Sequence, residues 1–333
     1  MVQTITNINS AINGVVWGLP MMVLILGVGV YLSVRTGFVQ FRHFGHIMKN
    51  TAGKAFEKTE KKEGAVSPFK AMCTALAASI GTGNIAGVSG AIAIGGPGAV
   101  FWMWISALFG MCTKYAEVTL SLKYREKNQA GDWVGGPMYY IRNGLGKSWT
   151  WLASIFAVFG ALAAFGIGNM TQINTIAGTI NTAINGISPT TESQQIMIAW
   201  VGSVICAIIC AIVLLGGIQR LADVCGLLVP FMAIIYIVAA LAVIVMNAGA
   251  IPEAFAAIFK GAFNPSSVAG GLAGVGIKTA ITKGVGRGIF SNEAGLGSAP
   301  IAHAAADVDH PVKQGIFGVF EVFMDTVVVC TMT

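Results

Sequence analysis

A chain of 333 residues that is 55% hydrophobic and only 10% charged excludes an ordinary soluble domain, whose surface needs roughly a quarter charged residues. The 43 glycines point the same way, because glycine is commoner in membrane helices, where it lets backbones approach closely. The net charge of +6 comes without a compact basic and aromatic motif, so nucleic acid is not an expected partner. The basic residues fall between apolar runs, which is a topology signal.

A bilayer core of ~30 Å takes about 20 apolar helical residues to cross. Eight spans are expected, at about 15–36, 70–93, 98–123, 151–183, 196–217, 224–247, 266–290 and 312–333. The first is expected to be a retained span rather than a signal peptide, since residues 1–14 contain no Lys or Arg to make a basic n-region. The loop behind it carries Arg42, Lys49, Lys54, Lys58, Lys61 and Lys62. Positive charge marks the cytoplasmic side, so the N-terminus is expected outside. Alternation makes 124–150 cytoplasmic, with Arg125, Lys127, Arg142 and Lys147, and makes 184–195 and 248–265 external, with Lys260 alone. The last span ends at Thr333 with no polar tail, so the sequence reads as cut short or unusually terminated. The six cysteines, Cys73, Cys112, Cys206, Cys210, Cys225 and Cys330, lie in apolar runs without metal-ligand spacing and read as small hydrophobes.

Two spans carry the signal of a break. A helix starting near Pro68 reaches the midplane after about ten residues, at Ser79-Ile80-Gly81-Thr82-Gly83-Asn84-Ile85-Ala86-Gly87. Two glycines there weaken a helix by about 1 kcal/mol each, and Thr82 and Asn84 bring polarity that lipid does not accept, so an unwound stretch facing a cavity is expected. The plainer alternative is a small-residue packing face, of which Gly83 and Gly87 make one match. A phosphate-binding loop fits poorly, because the glycine spacing is wrong and no strand precedes it. The seventh span repeats the pattern from the other side, at Gly274-Val275-Gly276-Ile277, with Gly284 to Gly288 as the alternative placement. Interrupted spans in corresponding positions point to an inverted-repeat transporter with its site at the midplane.

The segments Gly81-Thr82-Gly83-Asn84-Ile85-Ala86-Gly87, Gly95-Gly96-Pro97-Gly98-Ala99-Val100-Phe101-Trp102-Met103-Trp104, Thr113-Lys114-Tyr115-Ala116-Glu117 and Arg287-Gly288-Ile289-Phe290-Ser291-Asn292-Glu293-Ala294-Gly295-Leu296-Gly297-Ser298-Ala299-Pro300 resemble the alanine or glycine:cation symporter family. The resemblance runs from about residue 14 onward and implies a leucine-transporter-type fold, all-α and polytopic. On that pattern 1–333 is a single transmembrane domain: 15–36 is an extra N-terminal helix, 68–247 the first five-helix repeat, and 266–333 the start of a second, incomplete one. It further implies sodium-driven uptake of alanine or glycine across the plasma membrane, by a protein that can act as a monomer.

Site residues follow. Backbone N–H groups at the start of a half-helix can hold a substrate carboxylate, and Thr82 and Gly83 are the candidates. The carbonyls ending the preceding half-helix attract a hard cation; by resemblance to the wider fold, those of Ala77 and Ile80 are assigned to sodium. Asn84 can serve either ligand. Among Asn169, Thr171, Gln172 and Asn174, the resemblance favours Gln172 as a substrate contact, while Asn169 and Asn174 read as helix-to-helix contacts. Ile277, beside Gly274, would wall the pocket and limit side-chain size. Glu321 and Asp325, one turn apart within the last span, read either as a proton or cation relay or as structural partners of Arg287 or Lys283. Glu117 with Lys114 reads as a local ion pair, and Asn292-Glu293 as an N-cap opening a short helix at about 293–305. His43, His46, His303 and His310 fall in expected loops. No nucleophile with a base and orienter emerges, so an enzyme is not expected. A channel stays a distinct alternative, because broken helices also line pores.

Overall fold

The computed structural model describes residues 2–54, 65–166, 169–263 and 276–333. The chain opens with α1 (Val2–Val16), bends at Trp17–Gly18 and continues as α2 (Leu19–Arg35). Short helices α3 (Val39–Arg42) and α4 (Phe44–Thr51) follow. Helix α5 (Pro68–Ser79) starts where Pro68 pre-sets the first turn and Ser67 caps it by accepting from the Lys70 amide at 3.3 Å. It breaks, and a π-helical turn (Gly83–Gly87) leads into α6 (Val88–Gly95). Helix α7 (Gly98–Lys123) has 26 residues, about 39 Å of rise.

The expected cytoplasmic loop is structured: a hairpin of β1 (Glu126–Lys127) and β2 (Trp133–Val134), then α8 (Pro137–Leu145). The span expected over 151–183 is instead two helices, α9 (Thr150–Ala164) and α10 (Met170–Ile187). A run of 33 residues exceeds one crossing, and the helix stops before Gly166. Helices α11 (Glu192–Leu214) and α12 (Gly217–Met246) are continuous, and α13 (Ile251–Phe263) occupies the expected external loop. Helix α14 (Ile277–Asn292), α15 (Ala299–His303), α16 (Pro311–Val322), a second π-helical stretch (Phe323–Val329) and a last turn α17 (Cys330–Met332) complete the order.

Among the described residues, five helices are long and apolar enough to cross a bilayer, or six if the bent α5–α6 pair is one span. Of the eight expected spans, 98–123 is not among them, and 266–290 lies partly outside the described residues. Helix α7 has the length but carries Lys114, Glu117 and Lys123; it is a core helix packed against α2, α13, α14 and α16. The architecture is that of an all-α polytopic membrane protein.

Close approach of α7 and α14 explains the glycines of 284–288. A Cβ at Gly284 would sit 2.3 Å from the Ala99 carbonyl oxygen, and one at Gly288 1.9 Å from Ser106 Oγ. Helix α14 runs unbroken through both, so the alternative placement of the second break there is wrong, and those glycines form a packing face. The preferred placement at Gly274 to Ile277 meets the α14 N-terminus, with Gly276 extended as its cap; Gly274 and Val275 lie outside the described residues.

Three local readings are corrected. Asn292 ends α14 rather than opening a helix: Glu293 takes the left-handed conformation, φ 55°, and the next helix begins only at Ala299. The Asn292 side chain caps locally, accepting from the Ala294 amide at 3.0 Å. His46 lies within α4 and His303 within α15, not in loops.

Candidate substrate and cation site

The break between α5 and α6 is built from competing hydrogen bonds. A continuing helix would send the Gly81 N–H to the Ala77 carbonyl; it donates instead to Asn84 Oδ1 at 2.8 Å. The Thr82 N–H turns to Gln172 Oε1 at 3.4 Å, and its hydroxyl donates to the same oxygen at 2.6 Å. Ile80 is extended, φ −80° and ψ 109°, and the two half-helices meet at a bend of 50°. Side-chain amides have thus replaced the backbone ladder, and the carbonyls at the end of α5 are released from it.

Gln172 reaches the break from the first turn of α10, because α10 starts afresh after Phe165. Its neighbours do not join it. Asn169 donates to the Ala164 carbonyl at 2.7 Å, and Thr171 and Asn174 are exposed.

Asn84 points inward. It is fully buried, and its Nδ2 donates to Asp325 Oδ1 at 2.6 Å and to Ser291 Oγ at 3.0 Å. Thr326 donates to Asp325 Oδ2 at 2.7 Å, and Asn292 Nδ2 to Thr326 Oγ1 at 3.1 Å. The two π-helical stretches and the end of α14 therefore share one buried polar hub. π-bulges recur at functional sites.

Gly83 faces Arg287: a Cβ there would fall 2.3 Å from Arg287 Nη2. Ile277 is 44% exposed at the first turn of α14, about 15 Å along the helix from Arg287. The structure brings Thr82, Gly83, Asn84 and Gln172 to one break with Ala77 and Ile80 at its edge, and leaves Ile277 apart. Gly274 lies outside the described residues.

Glu321 pairs with neither Arg287 nor Lys283. It lies 3.6 Å from Lys114 Nζ and bonds His303 Nε2, and all three side chains are buried. Gln314 Nε2 closes the cluster against His303 Nδ1 at 2.7 Å and the Pro68 carbonyl at 3.0 Å. The expected Lys114–Glu117 pair gives way to other partners: Lys114 donates to the Asn292 carbonyl at 2.8 Å, and Glu117 accepts from the Gly295 N–H at 3.1 Å. Both bonds tie α7 to the segment after α14. Sequence reasoning missed Ser291 and His303 as buried partners, although a hydroxyl beside two amide and carboxyl residues at the end of a glycine-rich helix was a signal.

A cavity of about 760 Å³ lies beside the break, walled by α1, α2, α6 and α14, with Trp17, Ala91, Arg287 and Phe290 among its lining. At the cytoplasmic side expected from charge, Arg125 donates to the Ala304 and Ala306 carbonyls at 2.8 and 2.6 Å. Burial holds its guanidinium below the ordinary value.

The model of the sodium:alanine symporter family matches residues 2–333. The chain belongs to that family. It is 48% identical over 329 residues to the sodium/alanine symporter AgcS of Methanococcus maripaludis, covering 97% of this chain and 68% of that protein. It is 46% identical over 332 residues to an uncharacterized transporter of Haemophilus influenzae, covering 99% and 69%. With the amino-acid carrier protein AlsT of Bacillus subtilis the identity is 41% over 310 residues, covering 93% and 62%. The chain thus spans about two thirds of the length of these relatives. The family is one of symporters, not of enzymes.

Proposed function

We propose that the protein imports a small amino acid, alanine or glycine, in symport with sodium, by alternating access through a leucine-transporter-type fold. The observation that carries this reading is the rerouting of the Gly81 and Thr82 amides to Asn84 and Gln172. It frees carbonyls that can take a cation, and the Thr82 amide, held by Gln172 Oε1 at 3.4 Å, can exchange that partner for a carboxylate. Ala77 and Ile80 hold sodium through their carbonyls; Thr82, Gly83 and Gln172 meet substrate; Asn84 fixes the break from behind. Residues 15–36 form the extra helix, 68–247 the first repeat and 266–333 the start of the second. Gly274 and Ile277 belong to the pocket wall, which for Ile277 requires a state in which the α14 N-terminus has moved toward Thr82. The N-terminus lies outside the plasma membrane, and the protein can act as a monomer in the bilayer.

Proton coupling is the second reading, favoured by the buried Glu321–His303 pair, since such pairs inside membranes mark proton paths. The test is ligand-dependent thermal stabilisation of the purified protein, with sodium or choline as the cation. Alanine should stabilise in sodium only. Gly83→Val should abolish the effect, and Thr82→Ala should weaken it by about 0.5–1.5 kcal/mol. A folded Gly83→Val protein stabilised as strongly as the parent would overturn the site.

A further inference from the structure

Lys283 and Arg287 stand four residues apart on α14, and both line the 760 Å³ cavity. Positions i and i+4 share a helix face, where like charges repel, and low-dielectric walls sharpen the effect. Among the described residues nothing relieves it. Neither side chain has a carboxylate within ion-pairing distance, and the Arg287 Nε is buried without a hydrogen-bond partner. The lining adds a third cation, Lys278, and no Asp or Glu. An anion seated between the two side chains removes both penalties.

The rest of the cavity says which kind of anion. Its wall is otherwise largely apolar, with Trp17, Met22, Ala91, Ile94 and Phe290, and a free inorganic ion would fill only a small part of it. One wall is α2, whose outer face bears Val23 and Leu24, each 60% exposed, so the cavity lies between the core and a helix that meets lipid. Its depth is set by the turn from α6 to α7. Helix α7 has 26 residues, a rise of about 39 Å against a bilayer core of ~30 Å, so Gly96 and Pro97 stand at the membrane surface. Lys283 is beside that turn: a Cβ at Gly95 would fall 3.0 Å from its own Cβ. Arg287 is one helical turn deeper, about 6 Å, and rests on Phe290 with Cζ 5.0 Å from the ring centre. The two charges therefore bracket the level of lipid phosphates, with an apolar wall below them.

We propose that the cavity between α1–α2 and α6–α14 binds one anionic phospholipid, its phosphate between Lys283 and Arg287 and an acyl chain along the apolar wall. The guanidinium fork can donate twice to phosphate oxygens, and Lys278 adds to the attraction for a negative headgroup. The lipid joins the N-terminal helix pair to α14.

The test follows Trp17 fluorescence in purified protein in mixed micelles, taken as the parent signal minus that of Trp17→Phe. Chain-brominated phosphatidylglycerol or phosphatidylcholine is the quencher, and inorganic phosphate or glycerol phosphate the competitor. Phosphatidylglycerol should quench Trp17 at a lower mole fraction than phosphatidylcholine. Lys283→Gln and Arg287→Gln should each weaken that preference about 5-fold, the contribution of one basic side chain toward an anionic lipid, while Lys283→Arg and Arg287→Lys keep most of it. Lys283 is exposed, so its Gln variant keeps the test decisive if Arg287→Gln does not fold. Equal quenching by the two lipids, or a preference that Lys283→Gln leaves intact, would overturn the proposal. Displacement of the lipid by millimolar inorganic phosphate would show a free-anion site in its place, which also contradicts it.

Discussion

Asn84→Ala is the sharpest perturbation of the buried hub. The amide is fully buried and does two jobs at once: its Oδ1 accepts from the Gly81 N–H at 2.8 Å, and its Nδ2 donates to Asp325 Oδ1 at 2.6 Å. Truncation strands both groups in an interior where water does not replace the lost partners. Each orphaned buried group costs about 1–3 kcal/mol, so the loss should be about 2–6 kcal/mol. Asn84→Asp keeps the shape but sets a second carboxyl against Asp325, where two like charges cannot both ionise; that variant should be stable only where one of them keeps its proton. The assay is reversible unfolding in mixed micelles across pH, followed by helical circular dichroism. A loss below about 0.5 kcal/mol for Asn84→Ala, the size of an ordinary surface change, would refute the claim that this amide holds the break.

Lys114→Met should cost about 3–5 kcal/mol by stranding Glu321, and adding Glu321→Leu should recover part of it; additive losses in the same unfolding assay would refute the pairing. Gly98→Ala should destabilise by about 1–3 kcal/mol, because its Cβ would sit 2.1 Å from the Gly261 carbonyl carbon, whereas Gly27→Ala, with open space around it, should be neutral or better. In cells, a cysteine at Thr190 should react with an impermeant maleimide from outside and one at Asn128 only from inside; the reverse pattern would invert the topology. The Lys313 ammonium, bonded at 2.6 Å, holds the Asp309 carboxyl below the usual range. Its stabilising effect is therefore present above the unfolded pKa and lost as pH falls through the folded one. Lys313→Met should raise the Asp309 titration midpoint, read by carbon-13 NMR of the labelled carboxyl, and an unmoved midpoint would exclude the pair.

What the sequence disclosed and what it hid divide along physical lines. The α5–α6 break was legible because Gly81, Gly83, Thr82 and Asn84 each oppose a lipid-facing helix in a different way. The family was legible from the long motif running from Arg287 to Pro300. By contrast, the glycines at 284 and 288 read equally as a break or as a packing face, and only the position of α7 settles which. The division of 151–183 into α9 and α10 escaped notice because neither half carries a charged residue to mark the boundary. Pairings such as Lys114 with Glu321, or Asn84 with Asp325, join residues more than 200 positions apart and depend on the tertiary arrangement of helices that local pattern does not encode. Arg287 looked like an internal partner for the acids of α16 and its π-helical extension, but those acids are satisfied elsewhere.

The central claim is coupled import through the broken helix, and the most direct test is uptake of labelled alanine into proteoliposomes under separately imposed gradients. An inward sodium gradient at equal pH should drive accumulation above equilibrium, and Gly83→Val should abolish it. Accumulation driven by a proton gradient without sodium, or equilibration unaffected by either gradient, would contradict the account.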